Sequence, residues 1–360
     1  MLKTHAIKIQ FRFEDIMAVT IIDVARRANV SKSTVSLVIN NSPAIKLETK
    51  YKVLRAIEEL GYVPNINARG LTSRKTNILG VLTMVENLSQ KSYNFDSDTE
   101  IFSYDVSIGI PKGLVNTDFG LLNERFCIPE NSNDLPLLIK NNRIDGLFII
   151  GGLFGDDFAK KIKDCGIPTV VVGRKNEFFD YITADLEQGV FLSTTHLLET
   201  GHKKLCYINC PVTFSTSVDR YNGFQKAIDS SEVKPEEKWS INAEHNNGAG
   251  GYQAIKDIWE AGKRPDAILA ANDSIALGIM RYLYEQKVRI PEDISMISYE
   301  NSILSGYSVP ALSTVDINKE LIGEEACRIL LNRIARPKSK RVSMVIPTTL
   351  VHRDSVIVRS

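Results

Sequence analysis

The sequence of 360 residues predicts an α/β protein: a small helical unit at the N-terminal end, followed by two layers of parallel sheet. Up to residue 60, apolar residues recur at the spacing of amphipathic helices. After Lys75, short apolar runs alternate with helical stretches, which is typical of parallel strands covered by helices on both faces. The number of alternations favours two such layers over one.

The charge is divided in the same way. Ten Lys/Arg and four Asp/Glu fall between Val19 and Lys75, although the net charge of the whole chain is only +1. A basic unit on an otherwise acidic chain indicates an anion-binding surface at the N-terminal end.

The first helix is predicted to begin near Ile21. Thr20 and Asp23 stand three residues apart before an apolar run, which is the signature of a capping box. One face of the helix carries only apolar residues: Ile21, Val24, Ala25 and Ala28. Asn29 then ends the pattern, and Asn tolerates the left-handed backbone that a tight turn between helices can need.

A second short helix follows, capped by Ser31. Its inward face is predicted to hold Val35, Val38 and Ile39. Its outward face then carries Lys32, Ser33, Thr34, Ser36 and Leu37. Two short helices joined by a turn of a few residues describe a helix-turn-helix, whose second helix reads base edges and phosphates. A third helix over 47–60 is expected to turn Leu54, Ile57 and Leu60 inward and to end at Gly61.

The segment VTIIDVARRANVSKSTVSLVINNS, followed by ETKYKVLRAIEELGYVPNINARGL, resembles the headpiece of the lactose-repressor (LacI/GalR) family of bacterial transcription regulators. The resemblance implies a helix-turn-helix DNA-binding headpiece over 19–63 and a hinge over 64–77. In the headpiece it implies operator contacts from Thr20, Ser31, Lys32, Ser33, Thr34, Ser36, Leu37 and Asn40.

In the family, the hinge forms a helix on operator DNA and enters the minor groove. The resemblance implies hinge contacts from Asn65, Ala68, Arg69 and Leu71, with Leu71 at the position of the leucine that wedges into a base step and kinks the duplex. The segment is short, polar and basic, so it cannot bury enough surface to stay folded alone. An ordinary interdomain linker is the alternative.

Residues 1–18 have no counterpart in the family pattern. Glu14 and Asp15 can be encoded by a purine-rich run resembling a ribosome-binding site just ahead of Met17. We therefore interpret 1–18 either as an extension that is not translated, with synthesis starting at Met17, or as a basic arm.

Residues 145–360 resemble the two-lobed, periplasmic-binding-protein-like sensor of the same family, through RIDGLFIIGG, DRYNGFQKAI, RPDAILAANDSIALGIM and IPEDISMISYEN among others, and the whole sensor domain is predicted over 78–360. The resemblance implies effector binding and dimerisation, with lobe one over about 78–183 plus 314–343 and lobe two over about 184–313 plus 344–360. Strands are predicted at 78–84, 146–150, 169–172, 205–208, 267–270, 294–298, 313–317 and 342–346. The stretch 86–118 fits the family poorly because Pro111 falls where a helix interior is expected. It could form a lid, a disordered loop or a kinked helix, and no effector contact is assigned there.

Ligands of open α/β sheets bind at the carboxyl ends of strands. Six polar residues at such positions form the predicted effector site: Asp185, Arg220, Asn246, Asn272, Asp273 and Glu300. The resemblance implies that Arg220 clamps the effector, and paired carboxylates and amides suit the hydroxyls of a sugar or sugar phosphate. Asp185 and Asp273 could instead cap helices, and Arg220 could form a surface ion pair.

The remaining patterns favour no enzyme. Gly151-Gly152-x-x-Gly155 lacks the spacing of a dinucleotide-binding loop. No catalytic constellation, metal site or cofactor is predicted from the five histidines or the five cysteines. No apolar run is long enough to span a membrane or resembles a signal peptide, which favours the cytoplasm.

The sequence thus predicts a repressor of a carbohydrate-utilisation operon, acting as a homodimer on palindromic operator DNA under the control of a small sugar-like effector. A transport-type sugar-binding protein and a doubly wound sugar enzyme are the alternatives.

Overall fold

The computed structural model describes residues 19–39, 42–62, 75–85, 98–127, 134–151 and 154–359. The extension 1–18 and most of the predicted hinge lie outside this set. The chain divides between Thr76 and Asn77 into two compact units. The N-terminal unit is helical and the second contains both sheets, which confirms the predicted fold class.

Three helices make up the N-terminal unit: α1 (Ile21–Ala28), α2 (Lys32–Ile39) and α3 (Leu47–Leu60). The capping box is confirmed, since the Thr20 hydroxyl accepts the N–H of Asp23 and the Asp23 carboxylate accepts the N–H of Thr20 at 2.9 Å. Asn29 ends α1 in the left-handed region at φ 54°, and Gly61 ends α3 at φ 60°. Local sequence therefore fixes where these helices start and stop.

The core of this unit is built from small and β-branched side chains. Its buried members are Val24, Ala25, Val35, Val38, Val53 and Ala56. The expectation that Leu54 points inward is wrong, because its side chain is 44% exposed. Val53 and Ala56 lie against α1 and α2 instead, since three short helices approach closely only where the central side chains are compact. Arg27 also joins α1 to α3 through an ion pair of 2.6 Å with Glu59.

The second unit contains twelve strands among the residues that the structure describes. In chain order they are β1 (Ile78–Met84), β2 (Gly120–Phe126), β3 (Gly146–Ile150), β4 (Thr169–Val172), β5 (Asp180–Ala184), β6 (Lys204–Asn209), β7 (Glu237–Asn242), β8 (Ala267–Ala270), β9 (Ser295–Glu300), β10 (Ser313–Asp316), β11 (Ser343–Ile346) and β12 (Thr349–Val351). They form two sheets in the orders β11-β5-β4-β3-β1-β2 and β12-β10-β9-β8-β6-β7. All neighbouring strands are parallel except β10 and β12.

Helices cover both sheets. In chain order they are α4 (Asp98–Gly113), α5 (Leu137–Lys140), α6 (Asp156–Asp164), α7 (Leu186–Glu199), α8 (Thr216–Ser230), α9 (Gly248–Glu260), α10 (Asp273–Glu285), α11 (Ile303–Tyr307) and α12 (Lys319–Ala335). Of the helices that the structure describes, none is both long and apolar enough to cross a membrane.

Each sheet forms the centre of one lobe, and the chain passes between the lobes after β5, after β10 and after β11. The predicted lobe boundaries differ from this. They placed 314–316 in lobe one and 344–346 in lobe two, whereas β10 pairs with β9 and β11 pairs with β5. An apolar run predicts a strand, but it does not reveal which sheet the strand joins.

Two helices of lobe one, α4 and α12, lie in backbone contact. A Cβ on Gly109 would lie 2.0 Å from the carbonyl oxygen of Glu320, and a Cβ on Gly323 would lie 2.1 Å from that of Val106. Only glycine permits this approach. A lid, a disordered loop and a kinked helix were the alternatives for the stretch 86–118. Within it, residues 98–113 form a helix that includes Pro111 near its end.

One buried histidine makes the stability of the second unit depend on pH. His202 is fully buried, its Nδ1 lies 3.0 Å from the carbonyl oxygen of Leu197, and its Nε2 has no hydrogen-bond partner among the described residues. Burial lowers the pKa of His202, so the fold holds the neutral ring. The unfolded chain takes up a proton near pH 6.5.

We therefore expect the melting temperature to fall as the pH is lowered below about 6.5, because the unfolded state then binds more protons than the native state. His202→Asn keeps a side-chain N–H for Leu197 but cannot titrate, so its melting temperature should depend less on pH. Equal pH profiles for the two proteins in calorimetry between pH 8 and 5 would contradict this role.

Candidate functional site

The N-terminal unit presents α2 as a polar, hydroxyl-rich surface. Lys32, Ser33 and Leu37 are exposed, and Leu37 is 43% exposed, so it does not face the core. Thr34 and Ser36 are half-buried. Ser31 accepts the N–H of Thr34 at 3.1 Å, which caps α2 and leaves its first turn projecting outward.

Among the described residues of this unit, the carboxylates lie on α1 and α3, and three of them are paired with cations there: Asp23 with Arg26, Glu48 with Lys52, and Glu59 with Arg27. Because α2 carries no acidic residue, its exposed surface stays attractive to an anion. Thr20 is exposed at the start of α1. The other predicted DNA contacts, Asn40, Asn65, Ala68, Arg69 and Leu71, lie outside the described residues.

In the second unit, a cleft between the lobes encloses about 540 Å³ of empty space, including its solvent-filled mouth. Lobe one contributes Phe102, Gly151, Gly173, Thr183 and Ala184, lobe two contributes Leu186, Phe214, Thr216, Arg220, Asn246 and Glu300, and the crossing segment after β10 contributes Ile317. Most of them stand at or just after the carboxyl end of a strand.

Arg220 is the central cation of the cleft. On α8, it is 7% exposed, donates to the Thr216 hydroxyl at 3.0 Å and lies 3.6 Å from Glu300. Its guanidinium also stands 5.2 Å from the ring centre of Tyr299, while its Nε–H has no acceptor among the described residues. The alternative interpretation of Arg220 as part of a surface ion pair is therefore wrong, because its pair with Glu300 is buried. A buried N–H without an acceptor is a donor that a ligand can use.

The Arg220 guanidinium stays protonated at its buried position. Burial alone would lower the pKa of its guanidinium, but Cys210, Tyr207 and Glu300 outweigh that effect and raise the pKa above its ordinary value. Arg220 therefore enters the cleft as a permanent cation.

Glu300 faces Arg220 from the end of β9 and is 4% exposed. Its backbone lies at φ 99°, a conformation that costs free energy for any residue other than glycine and is concentrated at functional sites. The next residue holds it there: the Asn301 N–H donates to the Thr314 hydroxyl at 3.2 Å, and Arg353 donates to the Asn301 side chain at 2.6 Å.

Asn272 positions Asn246 on the cleft wall. Its side-chain oxygen accepts the N–H of Ile275 at 2.7 Å and caps α10. Its side-chain nitrogen donates to Oδ1 of Asn246, also at 2.7 Å. One amide thus performs two tasks: it caps the start of α10, and it orients Asn246, which lines the cleft.

Two predicted effector residues are instead engaged with the protein. The Asp273 carboxylate accepts the Ser298 hydroxyl, the Ser302 N–H at 2.6 Å and the Thr314 hydroxyl at 3.1 Å. Burial raises the pKa of Asp273, and the hydrogen bonds from Ser298 and Ser302 oppose that rise. Asp185 caps α7 by accepting the N–H of Gln188 at 3.0 Å, as the alternative interpretation expected.

The cleft also contains residues that the sequence analysis missed. Phe214 and Thr216 follow β6, so the rule that ligands bind at strand ends could have found them. Phe102 lies on α4, within the stretch that Pro111 had set aside. The omission came from treating one proline near the end of a helix as a break in all of it.

Two further ion pairs border the cleft. Lys319, at the start of α12, is buried and lies 2.5 Å from Asp105 of α4. Lys175, which follows β4 in lobe one, lies 3.1 Å from Asp219 of α8 in lobe two. This second pair spans the two lobes, and the side-chain hydrogen bond with Asp219 raises the pKa of Lys175.

Together, a three-helix unit with a hydroxyl-rich second helix and a two-lobed domain with a polar cleft define the class of DNA-binding regulators that carry a periplasmic-binding-protein-like sensor. Residues 20–65 match the family described as bacterial regulatory proteins, lacI family, and residues 194–356 match the periplasmic binding protein-like domain. The HTH-type transcriptional repressor PurR of Mannheimia succiniciproducens is 33% identical over 345 residues, which cover 94% of this chain and 98% of the relative.

Solved structures agree with this. The lac repressor dimer bound to operator and the anti-inducer ONPF has a TM-score of 0.77 at 23% identity, and the CelR–cellobiose complex has one of 0.66 at 26% identity. Each alignment covers 94% of this chain and 99% of the other. The chain belongs to the lacI family of bacterial regulatory proteins, and it is a DNA-binding transcriptional repressor with an effector-binding domain.

The double role of Asn272 can be separated by substitution. Asn272→Ser keeps an oxygen that can cap α10 but loses the donor to Asn246, whereas Asn272→Ala loses both. We expect both variants to weaken effector binding, but only Asn272→Ala to lose about 0.5–2 kcal/mol of stability. Calorimetric titration and denaturant unfolding measure the two effects, and effector affinity at the wild-type level in Asn272→Ser would contradict the positioning of Asn246.

Proposed function

We propose that α2 reads the major groove of operator DNA. The residues assigned to this contact are Thr20, Ser31, Lys32, Ser33, Thr34, Ser36, Leu37 and Asn40. Short hydroxyl side chains can approach phosphates and base edges closely, and the absence of carboxylates on α2 supports an anionic partner. For the hinge we propose minor-groove contacts by Asn65, Ala68, Arg69 and Leu71, with Leu71 as the kinking wedge.

We further propose that the cleft binds a small sugar-like effector and that the regulated genes serve carbohydrate utilisation. The buried Arg220 carries this proposal, because its Nε–H lacks an acceptor among the described residues and its charge is balanced by Glu300. Phe102 and Phe214 add apolar walls against which a sugar ring can pack. A related regulator, CelR, was solved with cellobiose. A thermal-shift screen with sugars and sugar phosphates tests the proposal directly.

The control of operator affinity is proposed to act through the angle between the lobes. An effector that contacts both lobes favours one relative orientation, and that preference is a free energy shared with the DNA site. The domain is then a binding device and not an enzyme, and it acts in the cytoplasm, where its operator is. A headpiece for DNA would serve no purpose in a transport-type binding protein.

A homodimer on a palindromic operator completes the proposal. On α4, Tyr104 and Ile108 stand one turn apart and expose large apolar side chains. Exposed apolar stripes of this kind mark surfaces that bind another protein. Two headpieces then meet two half-sites related by the same two-fold axis.

Operator binding should weaken steeply with salt, since each neutralised phosphate gives a slope near −0.9 in a plot of log K against log salt concentration. Lys32→Ala should reduce that slope by about 1 for each headpiece. Lys338→Ala, which removes an exposed cation from the sensor unit, is the matched control and should leave the slope unchanged. Fluorescence anisotropy at several salt concentrations gives the slopes, and a flat salt dependence would refute DNA binding through phosphates.

Leu37 is proposed to favour a T·A pair in each half-site. An arginine at the position of Leu37 could pair through its guanidinium with the O6 and N7 acceptors of guanine. Leucine has no donor, but its methyl groups can pack against the methyl group of thymine, and the exposure of Leu37 leaves it free to do so. Operators selected from random DNA by Leu37→Arg should shift towards guanine at one symmetric pair of positions. Identical selections by both proteins would exclude the idea.

A further inference from the structure

Three cations in or near the cleft, Arg220, Lys319 and Lys175, are paired with carboxylates of the protein. Arg220 lies 3.6 Å from Glu300, both buried, and Lys319 lies 2.5 Å from Asp105. At the mouth, the Lys175 ammonium lies 3.1 Å from Asp219. Each of these three cations of the described cleft region therefore has a carboxylate beside it.

The pairing of these cations with carboxylates affects which ligands the cleft can bind. A phosphate or carboxylate group loses its hydration in the cleft and needs an uncompensated cation in return. Here the nearest buried cation, Arg220, is shared with Glu300, whose own negative charge would repel the incoming anion. An uncharged hydroxyl avoids this conflict, because it can donate to Glu300 and accept from the Nε–H of Arg220 at the same time.

The rest of the cleft suits the same ligand. Phe102 from lobe one and Phe214 from lobe two provide aromatic surface, and Leu186 and Ile317 add aliphatic surface. Such walls pack against the C–H groups of a ring and offer no hydrogen bonds to a charged substituent.

We propose that the effector is an uncharged hydroxylated ring and that Glu300 excludes its phosphorylated or carboxylated counterparts. This inference rests on the proposed function of the cleft as a sugar site and decides between a sugar and a sugar phosphate. Glu300 acts here by its charge: it occupies the arginine that an anionic ligand would need.

Matched pairs of probes test this on the full-length protein by isothermal titration calorimetry. The pairs are D-ribose and D-ribose 5-phosphate, D-glucose and D-glucose 6-phosphate, and cellobiose and cellobionic acid. We expect the neutral member of at least one pair to bind, and its anionic partner to bind at least tenfold more weakly. Tighter or equal binding of the anion would overturn the inference while leaving the sugar site intact. Failure of every probe to bind would overturn the sugar site itself.

Glu300→Gln removes the charge and keeps a side chain of the same size. We expect the ratio of neutral to anionic affinity to fall by at least tenfold, since Arg220 is then uncompensated. Glu300→Asp keeps the charge and should retain the preference for the neutral probe, although its weaker reach lowers the affinity for both. An unchanged ratio in a folded Glu300→Gln would overturn the role of Glu300, and if this variant does not fold, the wild-type ratio still decides the effector class.

Asp219→Asn provides the matched control. It makes the same change of charge one residue away from Arg220, but at the mouth, where the Asp219 and Lys175 side chains are 32% and 60% exposed. Solvent screens such a site, so the affinity ratio should change little and any change should vanish at 0.5 M salt, where the Debye length is only about 4 Å. An equal effect of both variants would show that general electrostatic attraction, and not the buried pair, sets the preference.

Discussion

The direction of the strands is the constraint on which the cleft depends. Because the strands of both sheets run parallel, apart from β12, their carboxyl ends lie at the same end of each sheet. The loops and residues at these ends provide most of the cleft lining. Residues distant in sequence, such as Arg220 and Glu300, meet there without any local signal that pairs them. The polar chemistry of the site is thus a consequence of sheet topology before it is a property of individual side chains.

The connections between lobes explain how binding in the cleft can affect the whole domain. Three segments cross from one lobe to the other, so the lobes can change their angle only by adjusting backbone at these places. Inside lobe one, the contact of Gly109 and Gly323 with the facing backbone leaves α4 and α12 no room to approach further. These contacts fix α4 and α12 against each other within lobe one.

Sequence patterns predicted the buried strands better than the exposed ones. β1, β3, β4 and β8 have the predicted bounds, because a fully buried strand is a continuous apolar run. β2, β7 and β12 went unpredicted, and all three lie at sheet edges. β2 and β7 alternate between exposed and mostly partly buried side chains, with charged residues among them. At the site, the family resemblance pointed to Arg220 and a strand end pointed to Glu300. Asp273 looked equivalent to Glu300 in sequence and proved to be engaged by the surrounding hydroxyls and N–H groups. The neighbours of a buried carboxylate come from other strands, and their choice depends on packing.

The two strands that follow α12 affect how the protein can fold during its synthesis. β11 completes the sheet of lobe one and β12 completes that of lobe two, so each sheet is complete only after its last strand has left the ribosome. The headpiece, in contrast, is encoded by one continuous early segment and needs no contact from later residues for its core. During synthesis the reading unit can fold while both lobes still lack an edge, exposing strand backbone that invites pairing with other chains. Premature termination near residue 340 would therefore yield a molecule whose headpiece core can form but whose two sheets both lack a strand.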